Sequence, residues 1–164
     1  MTGDQGAGVP ERKVVATALE LLAGHSVLSL ATLFEGQPHA TSLMYAHDGF
    51  DLFWVSDPKT RHGRALAAHP RVAITIARQY EDFTKIRGLQ MTGTALRIAD
   101  QEQAERALAL LGQRFAFIRL FRKGPQRLRE RLQAVTAYRF EAAAVTLIDN
   151  TEGFGYKRTF CPPR

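Results

Sequence analysis

Apolar positions along this chain change their spacing repeatedly, and each change marks an element. Val14, Val15, Ala18, Leu19 and Leu22 recur at helical spacing, with Pro10 and Glu11 suited to a first turn and Gly24 to a stop. From Val27 to Phe34 the run is apolar on both faces, which predicts a strand buried in a barrel or under a subunit interface. Glu35 to Pro38 then turns the chain. A second strand is predicted from His39 to Ala46 and a third from Phe50 to Val55, joined through Asp48-Gly49 as a type I′ hairpin, whose two central residues need positive φ. Asp57-Pro58 reads as an N-cap and first-turn pair opening a helix to about Ala68, ended by His69-Pro70.

Val72 to Arg78 alternates and is β-branched, and a long strand is predicted from about Lys85 to Ile98, with Leu89, Met91, Gly93 and Ala95 facing away from Gln90, Thr92 and Thr94. Asp100 with Gln103 makes a capping-box-like start for a helix whose buried stripe is Ala104, Ala107, Leu108 and Leu111. Phe115 to Leu132 reads as helical with a break at Gly124-Pro125, and Ala137 to Ile148 as a last strand. The order α-β-β-β-α-β-β-α-α-β lacks the strand-helix alternation of a doubly wound sheet. The expected fold is α+β and mainly β: an antiparallel barrel with helices at its rim, one domain over residues 10–160 after a disordered stretch at 1–9.

Composition narrows this only a little. At 164 residues the chain can bury a core without staples, and its one cysteine, Cys161, has no internal partner, as expected in a reducing compartment. The polar, Gly-rich start and the lack of any apolar stretch near 20 residues predict a soluble, cytoplasmic protein. The net charge of +6 is concentrated between Arg114 and Arg131. That segment matches no recognised nucleic-acid module, so it is expected to be a solvated helical face, and nucleic-acid binding is the weakest functional option.

The familiar catalytic motifs are missing: there is no G-x-G-x-x-G after a strand, no G-x-x-x-x-G-K-[ST], no G-x-S-x-G and no H-E-x-x-H. The 5 histidines show no metal-ligand spacing. What remains is an anion site. Ser56-Asp57-Pro58-Lys59-Thr60-Arg61-His62 lies where a strand hands over to a helix, so unpaired amides and the positive end of the helix dipole converge there. Ser56 and Thr60 carry hydroxyls that can donate to a phosphate, Arg61 can bind two of its oxygens, and Lys59 and His62 add charge. On the preceding strand His39, Thr41 and Ser42 are polar among apolar residues; such a mixed wall suits a flat ring with a polar edge. Trp54 is expected in the core and Gln90 on the polar side of its strand.

Three segments in order, Lys59 to His62, Ile86 to Gly93 (Ile-Arg-Gly-x-Gln-x-x-Gly) and Asp149 to Lys157 (Asp-Asn-x-x-Gly-Phe-Gly-x-Lys), give the chain a resemblance to a known family from about Val14 to Phe160. It resembles the split β-barrels related to pyridoxamine 5′-phosphate oxidase that bind flavin mononucleotide (FMN), and most of all a poorly characterised bacterial subgroup. The resemblance implies a homodimer with two flavins at the interface. It also implies that His39, Ala40, Thr41 and Ser42 line the flavin, that Val55 and Ser56 are the next strand's contacts, and that Arg61 and His62 hold the phosphate. His62 stands where many relatives have lysine. Gly88 stands where the oxidase has a ring-contacting glutamine, with Gln90 nearby. The chain ends Gly-Phe-Gly-Tyr-Lys-Arg-Thr-Phe-Cys-Pro-Pro-Arg, without the oxidase's arginine- and tryptophan-bearing ending, so pyridoxine phosphate oxidation is not expected.

The expected function is an FMN-dependent oxidoreductase of unidentified substrate, with His39, Ala40, Thr41, Ser42, Val55, Ser56, Thr60, Arg61, His62 and Gln90 at the cofactor. The alternative is a binding or sensing protein on the same fold that holds flavin, haem or deazaflavin without turnover.

Overall fold

The computed structural model describes residues 12–127, 130 and 135–163. The expectations for residues 1–9, for Pro10 and Glu11, and for most of the stretch from 128 to 134 lie outside them. The order is α1 (Arg12–Gly24), β1 (Val27–Phe34), β2 (Gln37–Met44), β3 (Ala46–Asp48), β4 (Asp51–Ser56), α2 (Arg61–Ala68), β5 (Arg71–Ala77), β6 (Arg87–Arg97), α3 (Gln101–Arg114), α4 (Ala116–Lys123), β7 (Thr136–Asp149) and β8 (Lys157–Phe160). Short 3₁₀ turns at Phe83–Lys85 and Asn150–Glu152 flank β6 and β7.

The strands form one sheet in the order β2-β1-β5-β6-β7-β4-β3, every recorded pairing antiparallel, with β8 also on β7. β7 is long enough to serve two neighbours on one side: Thr136 to Phe140 pair with β4 and Val145 to Ile148 with β8. Its register against β6 shifts between Thr92 and Gly93, leaving Ala143 as the extra residue of a bulge that bends the sheet. The result is the antiparallel split barrel expected from the sequence.

Alternation decides which side is core. Leu28 and Leu30 of β1, Ile74 and Ile76 of β5, Leu89 and Met91 of β6 and Val145 and Leu147 of β7 all point inward and are buried. They join Leu22 of α1, Phe140, and a Trp54 ring stacked on Tyr138 with centroids 5.9 Å apart. Trp54 is thus core, as expected. A smaller apolar cluster of Ala46, Leu111, Phe115 and Ile118 seats α3 and α4 outside β3 and β4. Arg114 closes this side, donating to the carbonyls of Leu22 and Ala23 in the last turn of α1 and of His25 just past it, while its guanidinium lies 5.0 Å from the Tyr45 ring centroid.

Several local expectations need correction. The second strand starts earlier, at Gln37, and breaks at Tyr45, whose fully buried side chain donates to the Leu22 carbonyl at 2.8 Å. The hairpin with positive φ at both central residues is Glu35-Gly36 (φ 52° and 73°), between Phe34 and Gln37. Asp48 pairs with Asp51 instead, so Gly49 and Phe50 form that loop and only Gly49 (φ 56°) is in the left-handed region. Asp57 and Pro58 do not start the helix. Asp57 Oδ1 accepts from the Lys59 amide at 2.8 Å, an Asx turn, and Thr60 is the N-cap of α2. The predicted long strand runs Arg87–Arg97, and the chain after Asp149, for which no strand is predicted, returns as β8. The Asp100 cap is as predicted, its Oδ1 accepting from the Gln103 amide at 2.8 Å.

Candidate functional site

At the end of β4 the chain makes a tight turn before α2. The Thr60 amide donates to the Asp57 carbonyl at 3.1 Å, closing the turn. The Thr60 hydroxyl also donates to that carbonyl, at 2.7 Å, and accepts from the Gly63 amide at 3.2 Å. The turn folds so closely over the helix that a Cβ at Gly63 would lie 2.6 Å from the Pro58 carbonyl oxygen, which only glycine permits.

His62 reaches back into this turn. Its Nε2 lies 2.6 Å from Ser56 Oγ and 3.1 Å from Thr60 Oγ1. Because the Thr60 proton is committed to a carbonyl, which can only accept, Thr60 must accept from the imidazole; Nε2 therefore carries a hydrogen. With Nε2 as donor, Ser56 Oγ accepts from the same N–H and keeps its own hydroxyl proton for another partner. Burial, and then the positive charge His39 can carry, hold the His62 pKa below its ordinary value, so the ring is neutral near pH 7.

The structure separates the expected contributors into groups. His39, Ser56, Thr60 and His62 converge at one corner, and Arg61 is exposed next to it at the first position of α2, where the helix's leading amides precede any intrahelical acceptor. The hydroxyl of Thr60 is saturated by its three bonds, so its role is to cap α2 and hold the turn, a correction to its reading as a phosphate donor. The pleat divides β2: His39 and Thr41 are half-buried on the inward side, whereas Ala40 and Ser42 are exposed on the outer face. Val55 points the other way from Ser56 and packs on the Leu111–Phe115 cluster. Gln90 lies on the outer face of β6, paired with Thr75 and Thr146. Ser42, Ser29, Thr75 and Gln90 occupy successive strands, so Gln90 stands roughly 14 Å from Ser42 across three strand spacings. Gly88 is buried, and a Cβ there would lie 2.7 Å from the Ile76 carbonyl oxygen, which explains why no glutamine occupies it.

Two features escaped the sequence reading. Gly63 is needed by the corner, and its signal was a glycine inside a predicted helix. Asn150 is the other: its side chain donates to the Phe83 carbonyl at 2.7 Å and accepts from the Gly155 amide at 3.3 Å, joining the two 3₁₀ turns. Its signal was a place in a quoted motif without an assigned role. No cluster of metal-ligating side chains occurs among the described residues, and no helix among them is long and apolar enough to cross a membrane.

Sheet order, the bifurcated β7 and the strand-to-helix corner define a split barrel of the kind found in flavin- and haem-binding proteins. The chain belongs to the pyridoxamine 5′-phosphate oxidase family, whose sequence model matches residues 14–149. A UPF0306 protein of Photorhabdus laumondii is 28% identical over 138 residues, covering 83% of this chain and 87% of that one. Among solved structures, a heme binding protein from Mycobacterium smegmatis superposes with a TM-score of 0.73 at 22% identity over 93% of this chain; this chain spans 60% of that one. A FAD-binding protein from Mesorhizobium loti superposes with a TM-score of 0.60 at 19% identity, over 79% of this chain and 90% of that one.

Proposed function

We propose that this protein binds FMN at the corner between β2 and α2 and acts as a flavin-dependent oxidoreductase in the cytoplasm. The observation that carries the reading is the Ser56 hydroxyl, held by His62 with its own proton free, at the end of β4 where α2 begins with Arg61 and its leading amides. These are three kinds of donor suited to a phosphate monoester. The half-buried polar strip of His39 and Thr41 beside them suits a ring with a polar edge. Bound flavin would supply hydride or single-electron chemistry; the chain's own residues bind and orient it and need not act as acid or base.

We further propose that the working unit is a homodimer. Two rows cross the outer face of the sheet: Ser42, Ser29, Thr75, Gln90 and Thr146, then Ala40, Ala31, Ala73, Thr92 and Ala144. They contain no charge, and Val27, Met44 and Leu33 around them are exposed large apolar residues. Uncharged and, Gln90 apart, small side chains over five strands let two sheets approach closely, and such a surface calls for a cover.

Holding flavin, haem or a deazaflavin without turnover is the second reading, and the likeness to a heme binding protein supports its haem form. Absorption of the purified protein tests both. Flavin absorption in the visible that a nicotinamide donor bleaches is expected. A colourless protein that takes up no FMN on incubation, or one that takes up haem alone, counts against the flavin.

A further inference from the structure

Resemblance assigns His62 to the phosphate as the second member of an Arg-Lys-like pair, but its geometry gives it different work. The imidazole is buried, and its Nε2 is engaged by two hydroxyls of its own corner. We propose that His62 is a positioning residue: through Nε2–H it orients Ser56 so that the serine hydroxyl donates to the phosphate, and His62 thereby sets the preference for a phosphorylated ring over an unphosphorylated one without touching the phosphate. This rests on reading the corner as a flavin phosphate site.

The argument runs through proton counting. Thr60 has one proton and two lone pairs, and the Asp57 carbonyl, the Gly63 amide and His62 use all three. That leaves His62 only the donor role toward Thr60, and therefore the donor role toward Ser56 at 2.6 Å. One lone pair of Ser56 is thus pinned, and the remaining hydroxyl proton is restricted to directions away from the ring. Without the imidazole, the Ser56 hydroxyl could turn inward and spend its proton on Thr60. Its orientation is a matter of hydrogen bonding, so a neutral side chain with an N–H in the same place does the same work. A lysine-like ligand contributes differently, by its charge and by direct contact.

Two measurements decide it. In the ligand-free protein, long-range ¹H–¹⁵N correlations of the His62 ring should show hydrogen on Nε2; hydrogen on Nδ1 alone overturns the proposal whatever the protein binds. In titrations with FMN and riboflavin, Ser56→Ala and His62→Ala should each weaken FMN about ten-fold and leave riboflavin unchanged. The double variant should be no worse than either single one, and His62→Gln, which keeps an N–H, should recover most of the loss. Additive losses, or equal losses for riboflavin, overturn it, because they place His62 on the phosphate or in the fold at large. If the wild-type protein takes up neither flavin, the flavin reading fails by itself, and inorganic phosphate serves as the probe. Shifts of the Ser56 and Arg61 amides that vanish in His62→Ala and return in His62→Gln then support the positioning role, and shifts that survive His62→Ala overturn it.

Discussion

Arg87 Nε donates to Asp149 Oδ2 at 2.9 Å, joining two sequence motifs 62 residues apart at the end of the β6–β7 ladder. The pair is lopsided: the Asp149 side chain is 4% exposed and that of Arg87 36%. Asp149 also accepts from the Thr151 amide and hydroxyl, while Asn150 ties down the neighbouring Phe83–Lys85 turn. Much of what made the motifs recognisable is thus a clamp between two chain segments, which holds the exposed, edge-on pair Phe83 and Phe154.

The imbalance in burial predicts an imbalance in cost. Arg87→Ala leaves a buried carboxylate without its cation and should cost about 3 kcal/mol, at the low end for broken buried pairs because Thr151 still serves it. Asp149→Asn keeps acceptors for Thr151 and leaves a guanidinium that water can reach, so about 1 kcal/mol is expected. Urea unfolding of both variants at neutral pH compares them; equal losses would mean that burial of the carboxylate is not what matters.

Glu35 is the one described non-glycine residue with positive φ, at 52°. Asparagine tolerates that region better than glutamate and is favoured before glycine in type I′ turns. Glu35→Asn should therefore raise stability by about 0.5–1 kcal/mol, or a melting temperature by roughly 1–4 °C for a chain of this size. A variant that melts lower would show that the Glu35 side chain supports the turn in another way.

The sheet was legible because burial is written in alternation: β1 is predicted over the same residues that it occupies, and Trp54 falls in the core as expected. The turns were harder to assign. Asp48-Gly49 and Glu35-Gly36 both fit a tight hairpin, and only the register, fixed by which face meets the core, shows where the two-residue loop falls. At the candidate site the residue types were legible but their hydrogen bonds were not. Thr60 and Ser56 look alike in the sequence, yet one hydroxyl is saturated by the turn and the other is left open. The pleat that sets Ala40 and Ser42 apart from His39 and Thr41 follows from strand period, but which side faces the corner depends on where α2 docks.

His62 should make stability depend on pH in one direction. Its folded-state pKa lies below the ordinary 6.5, chiefly through burial and then through His39. The unfolded chain therefore binds a proton that the native state resists, and stability falls as pH drops through about 6.5, levelling off below the lowered native value. Above that window the residue contributes no slope. His62→Gln should remove this part of the decline, as chemical denaturation at a series of pH values between 8 and 5 would show; an unchanged profile would place the titration elsewhere.

Gly63 carries the close approach between α2 and the preceding turn. Gly63→Ala puts a methyl group 2.6 Å from the Pro58 carbonyl oxygen, so backbone must shift. A cost of about 1–3 kcal/mol is expected, as for other overpacked sites. The same shift should move Thr60 and Ser56 and weaken FMN more than riboflavin. An Ala variant that keeps both stability and FMN affinity would show that the corner relaxes without consequence.

The outer face offers the sharpest separation between corner and assembly. Thr75 sits mid-face, paired with Ser29 on one side and Gln90 on the other, and far from the corner that holds Ser56 and Arg61. Thr75→Arg adds a charge where the proposed dimer would bury it, and an arginine there finds no acidic partner in either of the two rows. Sedimentation should give twice the 18.3 kDa chain mass for the wild-type protein and a monomer for the variant, with the secondary structure intact. If ring contacts such as Gln90 come from the second copy, the monomer should lose most of its affinity for FMN and riboflavin alike while still responding to inorganic phosphate at the Arg61 amide. A monomeric variant with full FMN affinity would mean that one chain suffices for the flavin, and a wild-type protein that sediments as a monomer would leave the uncharged face to some other cover.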